Sequence, residues 1–471
     1  MNENILSLTY FIPETILGLG ILVYLLALTF IKSSKIIAGF AYVIFVLVLA
    51  SLTPQLAVVT AYPLFHHLLE TNFLNSIFRG LAGLSALIWS FFVFKTHDQE
   101  EQAGATMVLF ILTALLGVHI MLLAQNIMVL VLGIELLSTS SSVLVAINRH
   151  GKLESEAALN YIIFVAFSAG MMILGTSYLY GFAHSLQIST IAAAVTSTPN
   201  DLWLIFGTGL FLAGLAFKVA AVPLHFWAPD VYAGAPLPVT AFLATVSKIA
   251  SLVVLVKFLM MLAPATWLSA VLWGMALAGM LLGNLGALRQ TQLKRLLAYS
   301  SIAHTGYMLV GLATLTAAGF FAGIFYMVIY LLATVAAFVL LLFLGDNDDF
   351  AVLKGLFWRN PYLASAFTIV LATLTGLPPT AGFIGKFYLF SAAINHGFVV
   401  LSAVGLIISV VSLIYYMNLV RMMFQKTDGE ISAEISSFGL AQLLVMLAAV
   451  ALLYLGLYWV PLENLVKAAL G

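Results

Sequence analysis

An all-α, polytopic membrane protein with about 14 transmembrane helices is the fold that the sequence predicts. Of the 471 residues, 63% are hydrophobic and only 8% are charged, where a soluble domain carries roughly 25% charged residues. A chain this apolar cannot cover itself with polar surface, so its solvent is lipid. Apolar stretches of about 20 residues, the length that crosses hydrocarbon, recur from end to end. Pro, Asn, Asp, Lys and Arg gather between them, and no interval is long and polar enough for a soluble domain.

In chain order the segments are 6–31, 36–57, 76–94, 104–123, 126–147, 158–181, 202–222, 236–261, 267–288, 297–315, 319–344, 362–394, 398–420 and 438–460. The first three, over residues 1–97, open the domain. Residues 104–261 and 267–424 form two halves of five helices each, and 438–471 hold the final helix and a tail. The halves, helices 4–8 and 9–13, are assigned from two over-long segments. One runs from Leu202 to about Tyr232 and contains Pro223 and Pro229; the other runs from Tyr362 to Ile394 and contains Gly376, Pro378 and Pro379. Proline removes a helix hydrogen bond and clashes with the preceding turn, so helices 7 and 12 are expected to break. Interrupted segments at corresponding places in two halves point to a transport pathway built from inverted repeats. The N-terminal MNENILSLTYFIPE has neither a basic n-region nor a small-residue cleavage site, so no removable signal peptide is expected.

Orientation follows from Lys and Arg in the loops. The odd-numbered loops hold Lys32, Lys35, Lys95, Arg149, Lys152, Arg289, Lys294, Arg295, Lys354, Arg359, Arg421 and Lys426, which is 12 of the 18 basic residues. Arg79, Lys257 near a helix end and Lys467 fall on the even side. The odd loops are therefore expected in the cytoplasm and both termini outside. The 18 basic and 18 acidic side chains balance, so no charge excess points to nucleic acid. Without cysteine this chain holds neither disulfides nor Cys-ligated iron–sulfur clusters. No metal-ligand spacing, Gly-rich phosphate loop or nucleophile-and-base arrangement stands out, so no cofactor or metal is expected here and any redox chemistry falls to other chains.

Four charges lie inside apolar segments: Glu135, Lys218, Lys248 and Lys386. An ionised side chain at mid-bilayer costs roughly 2.5–3.5 kcal/mol on insertion scales. Lys248 stands about 12 residues into its segment, which at 1.5 Å per residue is about 18 Å, too deep for its stem to reach an interface. Lys218 precedes the break at Pro223, and Lys386 follows the one at Pro378–Pro379 in GLPPTAGFIGKFY. A lysine whose proton affinity falls on burial and rises beside a carboxylate can hold and release a proton as a Glu–Lys pair separates and reforms. Broken helices leave backbone groups unpaired, tolerated only where they line a hydrated cavity, and water there carries protons between distant lysines. The alternative is a structural ion pair with lysines that only hold helices together. His225, two residues after Pro223, reads equally as a relay or as a histidine bonded at a helix break. His304 and Tyr299 in LKRLLAYSSIAHTGYML read as bridges between Lys248 and Lys386 or as plain core, and His119 is a weaker candidate.

KVAAVPLHFWAPDVYAGAPLPVTAFLATVSKIA, TQLKRLLAYSSIAHTGYMLVG and KGLFWRNP…LTGLPPTAGFIGKFY resemble the antiporter-like membrane subunits of respiratory complex I, NADH-quinone oxidoreductase. Within that family the pattern is nearest to the subunit N branch. The likeness runs from about helix 3 to the C-terminus and is most specific around helices 7 and 8. It implies 14 helices with two inverted five-helix repeats. It places the essential glutamate at Glu135, the helix 7 lysine at Lys218, the central lysine at Lys248 and the outlet lysine of helix 12 at Lys386. It also implies partners: other membrane-arm subunits, a hydrophilic NADH-oxidising arm carrying FMN and iron–sulfur clusters, a quinone site elsewhere, and lipids. A lysine at position 386 and no long lateral helix after helix 14 favour this branch, and fourteen helices favour a bacterial inner membrane. Helix 5 continues LSTSSSV without the proline that often follows this glutamate, so it is expected to run straight. A subunit of a multi-subunit sodium/proton antiporter or membrane-bound hydrogenase, or a non-transporting scaffold, are the alternatives.

Overall fold

The computed structural model describes residues 3–58, 61–96, 101–147, 151–262, 265–345, 348–426 and 439–470; Arg149, counted above among the odd-loop charges, lies outside the described residues. The chain begins with α1 (Glu3–Tyr10), α2 (Ile12–Phe30) and α3 (Ser34–Leu52). Two short strands, β1 (Tyr62–Leu64) and β2 (Leu69–Thr71), pair antiparallel with Leu64 opposite Leu69. Then come α4 (Phe73–Thr96), α5 (Glu101–Leu123), α6 (Ile127–Ala146), α7 (Lys152–Ala183), α8 (Ile188–Ser197), α9 (Leu202–Lys218) and α10 (Trp227–Gly234). The next span is α11 (Leu237–Phe242), a π-helical turn over Leu243–Ser247 and α12 (Lys248–Met261). The chain continues as α13 (Thr266–Ala287), α14 (Leu293–Leu312), α15 (Ala317–Leu344), α16 (Leu356–Arg359), α17 (Pro361–Thr375), α18 (Ala381–Asn395), α19 (Val399–Phe424), α20 (Leu440–Leu457) and α21 (Val460–Leu470).

Eleven helices are long and apolar enough to cross a membrane; with α9, α14 and the α17–α18 pair, the described residues hold fourteen candidate spans. Several start on caps the sequence supplies. Asn126 accepts from the amides of Met128 and Val129, Asp201 from those of Trp203 and Leu204, and Asn360 from Leu363 with Pro361 in the first turn. Each cap satisfies amides that a helix start leaves without a partner. Both expected breaks are present: the chain leaves the helix after Lys218 and resumes at Trp227, and again between Thr375 and Ala381. α6 is continuous, as expected. The β1–β2 hairpin, the surface helix α8 and the helical α21 add to the segment map.

The described chain divides into two compact units. The first comprises residues 1–219 and 234–265 with the last four residues; the second comprises residues 220–233 and 266–467. In the first, close helix pairs meet at small residues, Gly117 against Gly133 and Gly175 against Gly207, the contact lipid-embedded helices use in place of a hydrophobic driving force. In the second, Gly279 and Gly283 of α13 lie against Gly306 and Ala303 of α14. The α10 region is tied to the second unit by the start of α14. There Lys294 donates to the Ala233 carbonyl at 2.7 Å and Arg295 meets Asp230 at 3.2 Å.

Two sequence expectations are corrected. Arg79, read as an even-side loop charge, is fully buried one and a half turns into α4. It pairs at 2.8 Å with Glu14, whose burial makes Glu135 no longer the only carboxylate inside the protein. Gln55, Thr71 and Ser76 surround the guanidinium, and His119 Nδ1 completes the cluster at 2.8 Å from the same Glu14 oxygen. A buried ion is tolerated when its partners satisfy it, and here four side chains, Glu14, Gln55, Thr71 and Ser76, hold the guanidinium.

Candidate functional site: buried lysines at helix irregularities

Lys218 is the last residue of α9, and its side chain is 6% exposed. Its ammonium donates at 2.6 Å to Ser138 Oγ, and that hydroxyl in turn donates to the Ile134 carbonyl. A cation is favoured at a helix C-terminus, where the last carbonyls lack partners. Glu135, three residues before Ser138 on α6, interacts with Lys218 through space without a direct ion pair. Glu135 Oε1 is buried and has no hydrogen-bond partner among the described residues. Tyr161 of α7 lies against this group, hydrogen-bonded to Ser141 and within the field of Glu135. The expected Glu–Lys pair is thus held apart, with a serine carrying the lysine. Ser138 and Tyr161 were not singled out from sequence. The signal for Ser138 was in view, because the LSTSSSV run places hydroxyls one turn from Glu135.

Lys248 is 2% exposed and stands directly after the π-helical turn Leu243–Ser247. A π turn widens the ring of backbone hydrogen bonds and is frequent at functional sites. Its surroundings are rich in hydroxyls. Thr245 Oγ1 accepts from Trp89 Nε1 at 2.8 Å and donates to the Ala241 carbonyl, and Ser251 donates to the Ser247 carbonyl.

Lys386 is 5% exposed and lies in the second turn of α18. Its ammonium donates to the Thr375 carbonyl and to Ser409 Oγ, both at 2.7 Å, and sits 4.3 Å from the centroid of the Tyr307 ring. Thr375 is the last residue of α17, so this lysine too is held at the C-terminal end of a half-helix. Gly376, at φ +88°, lets the chain turn there and leaves room for the Lys386 stem, which a Cβ would meet at 2.8 Å.

The remaining candidates separate. His304 is buried in the second unit, with Nδ1 2.8 Å from the Tyr326 hydroxyl and its ring against Tyr307 and Tyr330. One aromatic ring therefore separates it from Lys386. Tyr299 is half-buried with its ring against Gly286. His225 is held locally at the break, its Nδ1 3.2 Å from the Pro223 carbonyl and its ring against Phe226. His119 belongs to the Glu14–Arg79 cluster.

Residues 124–412 match the family described as NADH:quinone oxidoreductase/Mrp antiporter, TM. Over 461 residues the chain is 36% identical to NADH-quinone oxidoreductase subunit N 1 of Rhizobium meliloti, with 94% of each chain covered. It is similar in structure to a chain of respiratory complex I from Thermus thermophilus with bound aureothin, with a TM-score of 0.82 and 30% identity; 96% of this chain and 98% of that one are covered. A chain of the Mrp complex from Dietzia sp. gives a TM-score of 0.85 over 98% of this chain and 97% of that one. At 20% identity this last likeness shows the fold alone.

Proposed function

Because the chain belongs to the NADH:quinone oxidoreductase/Mrp antiporter transmembrane family, we propose that it is a proton-translocating membrane-arm subunit of an NADH-quinone oxidoreductase. Electron transfer from NADH to quinone takes place in partner subunits that carry FMN and iron–sulfur clusters, and this chain moves protons in response. It spans the plasma membrane of a bacterial cell, with both termini on the outer side and the odd loops in the cytoplasm.

One observation carries the reading: three lysines are buried inside apolar, membrane-length segments and stand at or beside helix irregularities, with hydroxyl or carbonyl oxygens on the ammonium groups of Lys218 and Lys386. At Lys218 and Lys386 a hydroxyl or a freed carbonyl, rather than a carboxylate, steadies the ammonium, so each can release its proton to water. Glu135 is placed to approach Lys218 and retain its proton, or to withdraw and let it go. Moving each charge against 100 mV takes about 2.3 kcal/mol, which the partner subunits supply through rearrangement of the Glu135–Lys218 pair. Protons then pass by Lys248 and leave through Lys386, with His304 and Tyr307 beside the outlet.

A sodium-translocating role would call for several oxygen ligands around one cation. Among the described residues the one fully buried carboxylate, Glu14, is committed to Arg79 and His119, and Glu135 is partly buried beside Lys218. The Lys248→Ala complex, purified intact and sealed into vesicles, is expected to lose proton pumping together with coupled quinone reduction. Normal pumping by an assembled Lys248→Ala complex overturns the relay. Loss of assembly with normal pumping per assembled complex makes the chain a scaffold.

A further inference from the structure

On the odd-loop side of the second unit, the ends of α13 and α19 bound a cavity of about 390 Å³. Gln290, Asn418 and Arg421 line it, the last two exposed, and its inner wall includes Tyr415, which is 5% exposed. The Tyr415 hydroxyl donates to Asn284 Oδ1 at 3.1 Å. Asn284 is fully buried, and its amide nitrogen donates to the Met280 carbonyl at 2.7 Å and to the Tyr307 hydroxyl at 3.2 Å. Tyr307 is hydrogen-bonded to Ser409, and Ser409 Oγ accepts from Lys386. A continuous line of hydrogen bonds therefore leads from a cavity on the odd-loop face to the buried lysine, interrupted by a single primary amide.

We propose that this line is a second access route between the odd-loop face and Lys386, and that Asn284 is the gate that holds it shut. The proposal rests on the reading of the chain as a proton translocator. A hydroxyl passes a proton by accepting on one lone pair while giving up its own hydrogen, one O–H bond forming as the other breaks. An amide cannot do this without becoming an imidic acid. Asn284 is also fixed in orientation: both N–H bonds are spent on Met280 and Tyr307, so its oxygen must face Tyr415. The two phenols are thus tied to opposite ends of an insulator. Such a gate has a use, because a translocator whose central site opens to both faces at once runs as a leak, the failure that alternating access avoids.

The test uses a carboxyl of the same shape. In Asn284→Asp the neutral acid can take a proton from Tyr415 on one oxygen and give one to Tyr307 from the other. The intact complex carrying this change, in sealed vesicles without NADH, is expected to collapse an imposed pH step several-fold faster than the unaltered complex. Adding Tyr415→Phe, which keeps the ring and removes the hydroxyl, is expected to restore the slow collapse. Asn284→Leu should remain tight. Should Asn284→Asp lower the amount of assembled complex, Asn284→Ser places a hydroxyl between the phenols and carries the same expectation. An assembled Asn284→Asp or Asn284→Ser complex as tight as the original overturns the gate, and so does a leak that survives Tyr415→Phe. If Lys248→Ala abolishes pumping while Asn284→Asp stays tight, the gate alone fails; if Lys248→Ala pumps normally, the parent reading fails.

Discussion

Among individual side chains, the charges that matter divide into those left loosely held and those locked. Lys218 and Lys386, held by hydroxyl or carbonyl oxygens rather than by a carboxylate, belong to the first kind. Glu14 and Arg79 belong to the second, 2.8 Å apart with both side chains fully buried. Removing one member of such a pair leaves an uncompensated buried charge and costs about 3–5 kcal/mol, whereas replacing both by apolar groups of similar volume is often neutral. Glu14→Leu and Arg79→Met, each alone, are therefore expected to lower the unfolding temperature of this chain in the solubilised complex, and the double variant to recover most of the loss. Equal loss in single and double variants would show that Arg79 serves chiefly through Gln55, Thr71 and Ser76 rather than through Glu14. Lys248 was legible in the sequence because it stands about 12 residues into its apolar segment, too deep for its stem to reach an interface. Glu14 and Arg79 were not, since each lies within the first two turns of its helix, where a charge is ordinarily solvated. Only the fold brings them under the hairpin and against His119.

The irregular elements were legible to the extent that a residue type forces them. Pro223 and the Pro378–Pro379 pair announced both broken helices. The π-helical turn over Leu243–Ser247 contains neither proline nor glycine, so no local signal marks it, and the hairpin strands of three residues each are too short for an alternation pattern. At the second break two glycines have different tasks. A Cβ on Gly382 would stand 1.8 Å from the Thr373 carbonyl oxygen, so Gly382→Ala must drive the half-helices apart. It is expected to reduce the amount of chain recovered in the assembled complex. Gly376 has φ +88°, and its nearest neighbour is the flexible Lys386 stem. A left-handed alanine costs roughly 1–2 kcal/mol, which assembly can absorb while the ammonium is displaced from Thr375 and Ser409. Gly376→Ala is expected to assemble at near-normal level and pump poorly, as read by vesicle acidification per quinone reduced. A Gly376→Ala complex with unaltered coupling would mean that the position of this ammonium does not matter.

For the molecule as a whole, the unevenness of basic charge sharpens once burial is known. Arg79 is removed from the even-side count because it is buried in an ion pair, and Lys257 is spent on the Leu122 carbonyl at 2.7 Å. Among the described residues that leaves Lys467, exposed on α21 and paired with Glu463 four residues earlier. The odd loops keep exposed cations such as Lys354, Arg421 and Lys426. Since Lys and Arg accumulate on the cytoplasmic side of short loops, this distribution predicts cytoplasmic odd loops and an outer C-terminal helix. The chain's own lack of cysteine makes the prediction simple to check, because any thiol introduced is the only one it carries. Lys354→Cys and Lys467→Cys both alter exposed positions; the second gives up a surface i,i+4 pair worth only about 0.3–0.5 kcal/mol. A membrane-impermeant maleimide, followed by mass analysis of this chain, should label Lys467→Cys in right-side-out cells and Lys354→Cys only in inverted vesicles, while both react in the solubilised complex. The opposite pattern would reverse the topology, and the cavity beside Tyr415 would then open to the outside and give Lys386 an outlet there rather than a guarded inlet.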